Sequence, residues 1–391
     1  MYLRRQFLEH IAQTSEIPQG FEIDHAEGCY LYDRKGDRYL DLISGFGVNN
    51  IGHSIPSVID AIKHQSGKYL HTNVYGEHVQ NPQVELATYL SSLLPPSLNS
   101  YYFLNSGSEC VDAAIKLVRL ATGRSELVVC KNAYHGSTLG AESIRSDEQH
   151  KSAFRPLIPG IRFINFNDES DLDFITDKTA AVITEVVQAE AGVQIADNKY
   201  WIAVKKKCAE HKTLLVFDEI QTGIGRTGKL FAFQHYDIVP DILLSGKALG
   251  AGMPLAAMIC SRELMSYFNK QLPLGYISTF GGHPVSCAAG LAGLKYLIEE
   301  KLMDAVEGKA ELIKKSLVHP SIKEIRNSGL LMAVELDSPA SVLLWIRKLY
   351  DRRNLAESFL FCSGALRVAP PVIISEMDIF DVCEVIKMIE K

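Results

Sequence analysis

The sequence predicts an α/β protein built around a mostly parallel β-sheet. Between residues 101 and 260, short runs rich in β-branched and aromatic residues alternate with segments of helical periodicity, the pattern of strand–helix–strand units. The expected strands are YYFLNSG, ELVVC, IRFINF, AAVITEVV, TLLVFDEI, DILLSG and LAAMICS, and the expected helices cover residues 109–121 and about 200–210. Ligands of such sheets bind at the carboxyl ends of the strands, so the polar residues that follow these runs are candidates for a functional site.

The segments on either side of this region predict a second, smaller α+β domain. Residues 21–44 alternate apolar and polar side chains around a turn, which indicates a β-hairpin. Residues 56–94 predict two helices around a loop rich in Asn, Tyr and Gly. After residue 284 a long helical stretch precedes mixed strands and helices, including LLMAVEL, ALRVAPP and a last helix from about residue 376. We therefore expect a large domain over residues 51–285 and a small domain made of residues 1–50 and 286–391.

Composition disfavours several classes of function. The chain has 391 residues and a formal net charge of −6, which gives no electrostatic reason to bind nucleic acid or an anionic membrane surface. The N-terminus lacks the continuous apolar run of a secretory signal, and no stretch is long enough to cross a bilayer. Eight cysteines are scattered without metal-binding spacing, so we expect free thiols, no metal site and a cytoplasmic location. Small-molecule chemistry is favoured.

Two residues at the ends of apolar runs indicate which small-molecule chemistry the protein could carry out. Asp218 follows TLLVF, and Lys247 follows DILLSG. A lysine at the end of a buried strand is costly unless its charge is paired or its pKa is lowered, which favours a functional role. An amine can hold an aldehyde cofactor as a Schiff base, and a carboxylate can pair with a pyridine nitrogen, as pyridoxal phosphate requires. For Asp218 the alternative is a helix N-cap.

A strand-to-helix junction in the sequence Asn-Ser-Gly-Ser-Glu is a candidate phosphate site. Backbone N–H groups at a helix N-terminus bind anions, because they lack intrahelical partners and the helix dipole favours negative charge. Gly107 and Ser108 are the candidates. An ordinary helix cap supplied by Ser106 or Ser108 is the alternative.

Two more positions suit a planar cofactor. Tyr134 follows the run ELVVC and can stack on an aromatic ring, although a packed loop is the alternative there. Gln221 lies on the same turn as Asp218 and can donate to a ring oxygen.

Together these segments resemble the class III aminotransferases, pyridoxal-phosphate enzymes of fold type I that include ornithine, acetylornithine and 4-aminobutyrate aminotransferases. The resemblance runs nearly from end to end of the chain. The segments that carry it are GCYLYDRKGDRYLDLISGFGVNNIGH, FLNSGSECVDAAIKLVR, AYHGST, ITEVVQAEAGV, VFDEIQTGIGRTG, PDILLSGKALGAGMP, STFGGHP and LRVAPP.

The resemblance implies roles for the residues of a pyridoxal 5'-phosphate site. Lys247 would carry the Schiff base, and Asp218 would pair with the pyridine nitrogen. The other cofactor contacts are expected from Gln221 at the ring hydroxyl, Tyr134 on the ring face, Gly107 and Ser108 at the phosphate, and Ser106, His135 and Glu185 around them. Thr279 would reach the phosphate of the neighbouring subunit, so a homodimer with shared active sites is expected.

Four positions are expected to bind substrate. Arg367 matches the arginine that clamps the substrate α-carboxylate, and Glu190 matches the acid that pairs with it when the donor has no carboxylate there. An ordinary surface ion pair is the alternative for these two. Ser137 replaces an arginine that binds a distal carboxylate in some members, and Phe46 replaces a tyrosine of ornithine aminotransferases, which weakens the ornithine and acetylornithine assignments.

The resemblance implies an aminotransferase with a ping-pong cycle. It would move an amino group from ornithine, N-acetylornithine, 4-aminobutyrate or a related amine to 2-oxoglutarate, with Lys247 as general base and acid. One alternative is another class III reaction, namely racemisation, amino-group migration or decarboxylating transamination. The other is a non-catalytic regulatory protein, against which the intact Lys247 and Asp218 argue.

Overall fold

The computed structural model describes residues 2–271 and 273–389. In chain order the strands are β1 (Ile23–Glu27), β2 (Tyr30–Asp33), β3 (Arg38–Asp41), β4 (Ser100–Leu104), β5 (Glu126–Cys130), β6 (Ile161–Ile164), β7 (Thr179–Glu185), β8 (Val187–Gln188), β9 (Gln194–Ile195), β10 (Leu214–Asp218), β11 (Ile242–Ser245), β12 (Ala256–Cys260), β13 (Ile322–Ser328), β14 (Leu331–Leu336), β15 (Asn354–Leu355), β16 (Glu357–Ser358) and β17 (Ala365–Val368).

The helices connect and cover these strands. In chain order they are α1 (Tyr2–His10), α2 (Ser44–Gly47), α3 (Pro56–Ser66), α4 (Asn81–Leu93), α5 (Gly107–Thr122), α6 (Leu139–Ser143), α7 (Glu148–Lys151), α8 (Asn198–Glu210), α9 (Arg262–Met265), α10 (Tyr267–Gln271), α11 (Pro284–Glu299), α12 (Val306–Ser316), α13 (Pro339–Asp351) and α14 (Glu376–Lys387). Short 3₁₀ turns cover Ser152–Phe154, Glu169–Phe174, Ala232–His235, Lys247–Gly250 and Leu302–Ala305.

A seven-stranded sheet forms the centre of the molecule, in the order β4-β12-β11-β10-β7-β5-β6. The strands from β11 to β6 run parallel to one another, whereas β12 is antiparallel to both β11 and β4. The predicted mostly parallel sheet is confirmed. Each run that the sequence marks as a strand between residues 101 and 260 contributes one strand to it.

Helices cover both faces of the central sheet. Successive strand residues point to opposite faces. Val129 and Val216 therefore join the cluster beneath α5, while Val182 and Phe217 join the cluster that contains Trp201 of α8. The buried apolar side chains of both layers hold the strand ends in place, so residues at those ends are fixed by the core rather than by the loops that follow.

The N-terminal and C-terminal parts of the chain build two smaller sheets. One has the order β1-β2-β3-β15 and contains the predicted hairpin, with β2 and β3 antiparallel. The other, β13-β14-β17-β16, is antiparallel throughout. Because β15 pairs with β3, the two ends of the chain meet in one sheet. The domain boundaries at residues 50 and 285 stay a prediction.

The register of the central sheet brings three ionisable residues to one edge. Asp218, the last residue of β10, lies beside Glu185 of β7 and beside Leu244 of β11. Lys247 follows the end of β11 after Gly246. Carboxyl ends of parallel strands meet at the same edge, so residues far apart in sequence converge there.

Among residues 2–271 and 273–389, no helix has the length and apolar character needed to cross a membrane. Within the same residues no group of His, Cys, Asp and Glu side chains is arranged to hold a metal ion. All eight cysteines carry free thiols.

Candidate active site

A cavity of about 230 Å³ lies at the carboxyl edge of the central sheet. Its lining residues are Gly107, Ser108, Tyr134, His135, Gly136, Ser137, Glu185, Ala189, Glu190, Asp218, Ile220, Gln221 and Lys247. Most of the predicted site residues therefore converge on one space. Four do not line it, namely Phe46, Ser106, Thr279 and Arg367.

Lys247 enters the cavity from the turn after β11. Its backbone has φ +48°, a conformation that non-glycine residues seldom adopt and that marks a strained, over-determined position. The amine donates a hydrogen bond to Gln221 Oε1. Burial lowers the pKa of Lys247 to about 8, so much of the amine is neutral in mildly alkaline solution.

Asp218 and His135 form a buried pair beside the lysine. The two groups are 2.6 Å apart, from His135 Nδ1 to Asp218 Oδ2. Burial alone would lower the pKa of His135, but the hydrogen bond and charge of Asp218 outweigh it and raise that pKa above its ordinary value. Asp218 Oδ1 accepts from the N–H of Ile220. Turns and not a helix follow this residue over 220–227, so the helix N-cap alternative is wrong.

Glu185 holds the loop that carries Tyr134. Its carboxylate accepts from the N–H of Tyr134 and from the N–H of Ala189, each at 3.0 Å. Burial raises the pKa of Glu185 to about 7. Its contacts within the chain are therefore with the backbone of the two loops that form the cavity wall.

The N-terminus of α5 faces the same cavity. Ser106 is the N-cap, and its Oγ accepts from the N–H of Glu109 at 3.3 Å, so the cap alternative holds for this residue. Ser108 Oγ instead accepts from the N–H groups of Ser137 and Thr138 at 3.1 and 2.9 Å. The first N–H groups of a helix have no intrahelical partners, so those of Gly107 and Ser108 are available to an anion.

Gly136 is required where this loop meets the helix. Its φ is +116°, and a Cβ there would lie 2.4 Å from Ser108 Oγ. Any larger residue would push the loop away from the helix N-terminus and widen the cavity.

Glu190 and Arg367 form an ion pair at the margin of the cavity. Arg367 Nη2 donates to both carboxylate oxygens of Glu190, at 2.6 and 2.7 Å. Arg367 is 1% exposed and Glu190 is 14% exposed, so the surface ion-pair alternative is wrong. The guanidinium lies 4.3 Å from the ring centroid of Phe359 and 5.3 Å from that of Phe46. Its Nη1 is buried, and none of the described residues accepts a hydrogen bond from it.

Ser137 and Thr279 occupy different surroundings. Ser137 Oγ lies 3.3 Å from the hydroxyl of Tyr134, inside the cavity. Thr279 lies outside it, where its carbonyl accepts from His71 Nε2 at 2.7 Å and its hydroxyl is 3.4 Å from that of Tyr75. The expected contact of Thr279 with the phosphate of a neighbouring subunit stays a prediction.

Sequence reasoning missed several residues around the site. Ile220 and Ala189 line the cavity, but small or aliphatic residues near strand ends carry no distinguishing pattern. Phe359 flanks Arg367, although it precedes the strand of that arginine in an unremarkable loop. Only the tertiary contacts identify these residues.

Comparison with known proteins agrees with the geometry. The family model for class-III aminotransferases matches residues 11–389. The acetylornithine aminotransferase of Methanopyrus kandleri is 37% identical over 356 residues, covering 90% of this chain and 89% of that protein. The [LysW]-aminoadipate semialdehyde/glutamate semialdehyde transaminase of Sulfurisphaera tokodaii is 35% identical, covering 92% of each chain.

The fold has solved counterparts in the same group. The crystal structure of acetylornithine aminotransferase from Elizabethkingia anophelis superimposes with a TM-score of 0.85 at 30% identity, covering 99% of this chain and 97% of that one. The chain therefore belongs to the class-III aminotransferases and is a pyridoxal-phosphate-dependent transaminase of fold type I.

Proposed function

We propose that this transaminase moves an amino group from an ω-amino acid or related amine to 2-oxoglutarate by a ping-pong mechanism. The observation that carries the proposal is the buried pair of Glu190 and Arg367 beside the cavity that contains Lys247. An arginine that is neutralised by a removable acid suits a site that must accept two unlike substrates in turn. One has a carboxylate at that position and the other does not.

The residues of the cavity fit pyridoxal phosphate. They provide an amine, a carboxylate, an aromatic ring and open N–H groups at a helix N-terminus. In the part of the chain that the structure describes, His135 Nε2 and Gln221 Nε2 are buried without hydrogen-bond partners, and buried polar atoms of this kind suit a polar ligand. When bound, the cofactor supplies an electrophilic carbonyl and a protonated ring that stores electrons.

Lys247 is proposed to hold the cofactor aldehyde and to move protons at the substrate carbon that bears the amino group. A pKa of about 8 makes a neutral amine accessible for both tasks, because a general base works best when its pKa is near the working pH. Gln221, which accepts from Lys247, is proposed to contact the ring hydroxyl.

Asp218 is proposed to keep the pyridine nitrogen protonated. His135 donates to Asp218, and burial excludes water from both groups, which strengthens their electrostatic effect. His135 holds Oδ2 and the N–H of Ile220 holds Oδ1, so the carboxylate is fixed in orientation where it lines the cavity. Glu185 supports this edge by fixing the loops on either side.

Tyr134, Gly107 and Ser108 are proposed to bind the remaining parts of the cofactor. The ring of Tyr134 forms a wall of the cavity on which a planar group can stack. The N–H groups of Gly107 and Ser108 would hold the phosphate, with Ser106 capping the helix that presents them.

Arg367 is proposed to bind the α-carboxylate of 2-oxoglutarate after Glu190 turns away. Its free Nη1 offers a second donor for a carboxylate, and arginine binds carboxylates through two parallel hydrogen bonds. For a donor without a carboxylate there, Glu190 would keep the arginine neutralised. A buried, unpaired guanidinium would otherwise be costly.

The donor class rests on the relatives and on Glu190. Several relatives at 34–38% identity are acetylornithine aminotransferases. Ser137 lines the cavity and Phe46 lies beside Arg367, and neither side chain carries a positive charge that could bind a distal carboxylate. We therefore retain ornithine, N-acetylornithine and 4-aminobutyrate as candidate donors of one class.

A homodimer with shared active sites is proposed as the minimum assembly. Around Thr279 the surface is apolar, since Leu274 and Phe280 are 64% and 57% exposed and Val79 is 89% exposed. The segment that contains His71 and Val79 contacts the segment that contains Thr279, because His71 donates to the carbonyl of Thr279. Exposed apolar patches of this kind mark protein–protein contacts, and here the contact would include Thr279.

A half-reaction screen tests the proposed function. The holoenzyme is mixed with each candidate donor in the absence of a keto acid, and the visible absorbance of the bound cofactor is followed. A transaminase should lose that absorbance in one turnover and regain it when 2-oxoglutarate is added. The Lys247→Ala variant, whose thermal unfolding should resemble that of the wild type, should show no change.

Other class III reactions give a different result. A racemase or an aminomutase returns its cofactor to the starting form after every turnover, so the absorbance would persist with donor alone. That result, or a failure of every donor to react, would contradict the proposed function.

A further inference from the structure

The carboxylate of Glu190 is held by a loop as well as by Arg367. We call residues 359–362 the clamp loop. Within it, the N–H of Leu360 donates to Glu190 Oε2 at 3.0 Å, and the N–H of Phe361 donates to the carbonyl of Glu190 at 3.0 Å. The position of the clamp loop therefore determines where the side chain of Glu190 lies.

A buried guanidinium anchors this loop. Arg145 Cζ lies 5.2 Å from the ring centroid of Phe361 and 5.9 Å from that of Tyr134, which lines the cavity. An arginine within about 6 Å of an aromatic ring is attracted to it, and more strongly when water is excluded. Arg145 thus joins the wall of the cavity to the clamp loop.

Acidic groups fix Arg145 in this position. Its Nη1 lies 3.6 Å from Glu142 Oε1, and its Nη2 lies 3.3 Å from Asp147 Oδ2. The ammonium of Lys151 donates to the carbonyl of Arg145 at 2.5 Å. Glu142 and Arg145 are both buried, so the guanidinium cannot leave its acids without a large desolvation cost. It is a fixed anchor rather than a mobile surface charge.

We propose that Arg145 is a positioning residue that, through Phe361, keeps Glu190 paired with Arg367. The inference rests on the function proposed above, because it concerns the same ion pair. While the ring of Phe361 is seated on Arg145, the clamp loop presents its two N–H groups to Glu190. Without that contact the loop relaxes, Glu190 is held less firmly, and an incoming carboxylate competes more easily for Arg367.

The proposal predicts opposite changes for the two substrates. Phe361 is partly exposed, so Phe361→Leu removes the ring without opening the core. We expect the KM for 2-oxoglutarate to fall and the KM for an amine donor to rise, each on the order of 3- to 30-fold, the equilibrium change that matches the loss of one cation–π contact. The maximal rate of the donor half-reaction should stay close to that of the wild type.

Two further variants test whether the ring acts through Arg145. Phe361→Tyr keeps an aromatic ring and should retain wild-type KM values for both substrates. Arg145→Lys keeps a positive charge for Glu142 and Asp147 but removes the planar group between the rings, and it should shift both KM values in the same directions as Phe361→Leu. Steady-state kinetics with each substrate varied in turn measures both KM values.

The kinetic results distinguish failure of the positioning role of Arg145 from failure of the proposed function. Parallel changes in both KM values, or a shift in Phe361→Leu that is missing in Arg145→Lys, would overturn the role of Arg145. If the wild type already fails to react with amine donors, the proposed function itself is wrong. If the wild type reacts and the ratio of KM values is unchanged in Phe361→Leu, only the positioning role is rejected.

Discussion

Arg367 binds Glu190 through one terminal nitrogen, Nη2, while its other terminal nitrogen, Nη1, is buried and has no hydrogen-bond partner within residues 2–271 and 273–389. The guanidinium is thus removed from water, but only one of its two terminal nitrogens is bonded to Glu190. A second carboxylate can find a donor on it before the bonds to Glu190 are broken. Under the proposed function, one carboxylate would replace the other without leaving a bare buried charge, which would be costly.

Replacement of Glu190 should separate the two substrates. In Glu190→Gln the acid no longer neutralises Arg367, so we expect the KM for 2-oxoglutarate to fall and the KM for an amine donor to rise, each on the order of 10-fold. The free energy of unfolding should drop by less than the roughly 3–5 kcal/mol that loss of a buried partner costs, because glutamine still accepts a hydrogen bond.

Glu126 provides a matched control for this variant. Its carboxylate also binds an arginine, Arg162, at 2.6 Å, and its side chain is 12% exposed, but it lies at the amino end of β5, away from the cavity lining. Glu126→Gln should leave both KM values unchanged. Equal effects of the two substitutions would show that the kinetic change reflects general loss of an ion pair, and not release of Arg367.

The lowered pKa of Lys247 predicts how cofactor binding depends on pH. The neutral amine reacts with an aldehyde, and a pKa of about 8 in place of 10.5 makes about half of Lys247 neutral at pH 8. The rate at which apoenzyme gains the visible absorbance of bound pyridoxal phosphate should therefore rise with pH through a midpoint near 8. Stopped-flow mixing between pH 6 and 11 measures it.

A lysine in water provides the reference for that profile. N-acetyl-lysine amide mixed with pyridoxal phosphate under the same conditions reports the unperturbed amine and the ionisation of the cofactor itself. A midpoint for the apoenzyme that coincides with this reference would contradict the effect of burial on Lys247.

Loss of the charge on Asp218 should slow proton transfer without unfolding the protein. Asp218→Asn keeps the shape and a hydrogen-bond acceptor for Ile220, but it removes the negative charge that would stabilise a protonated ring. We expect the rate of the donor half-reaction to fall on the order of 10²- to 10³-fold. The pKa of His135 should fall as well, since the charge of Asp218 raises it, and an NMR titration of that histidine would detect the change.

If Asp218→Asn loses activity while the pKa of His135 is unchanged, the loss of activity cannot be attributed to the charge of Asp218. That result would contradict the electrostatic role proposed for Asp218. Asp241→Asn is the control, because it makes the same chemical change outside the cavity. Asp241 lies at the opposite end of the β10–β11 pair, where it accepts from the N–H of Leu215.

A single substitution should widen the range of substrates. Ser137 is exposed, so Ser137→Arg can place a guanidinium at the mouth of the cavity without displacing core residues. We expect the KM for donors with a distal carboxylate, such as N-acetylornithine, to fall on the order of 10-fold, the typical gain from one hydrogen bond to a charged group. Ser137→Met, which adds length without charge, should give no gain.

The fold could be predicted well from local patterns. Strands such as β7 and β10 alternate with helices in the sequence, and each apolar run has the length of one buried strand. The helix α5 began slightly earlier than predicted because Ser106 caps it. The direction of β12 could not be predicted, since periodicity records which residues are buried but not which way a strand runs.

Only part of the candidate site could be predicted from local sequence patterns. Strand ends and flanking small residues indicate Lys247, Asp218 and Gly107, because these features are local. The burial of the Glu190–Arg367 pair was not foreseen from composition or spacing, because the partners lie 177 positions apart. Nothing in the segment around Arg145 distinguished it from an ordinary surface arginine.

The sequence by itself determined the order of strands and helices, the family and the cofactor, since hydrophobic periodicity and short functional segments are properties of neighbouring residues. Only the tertiary structure decided that the expected pair of Glu190 and Arg367 is buried and that Arg145 joins Tyr134 to Phe361. Those relationships depend on burial and on contacts between distant segments. Both arise when the packed sheet and its flanking loops bring separate parts of the chain together.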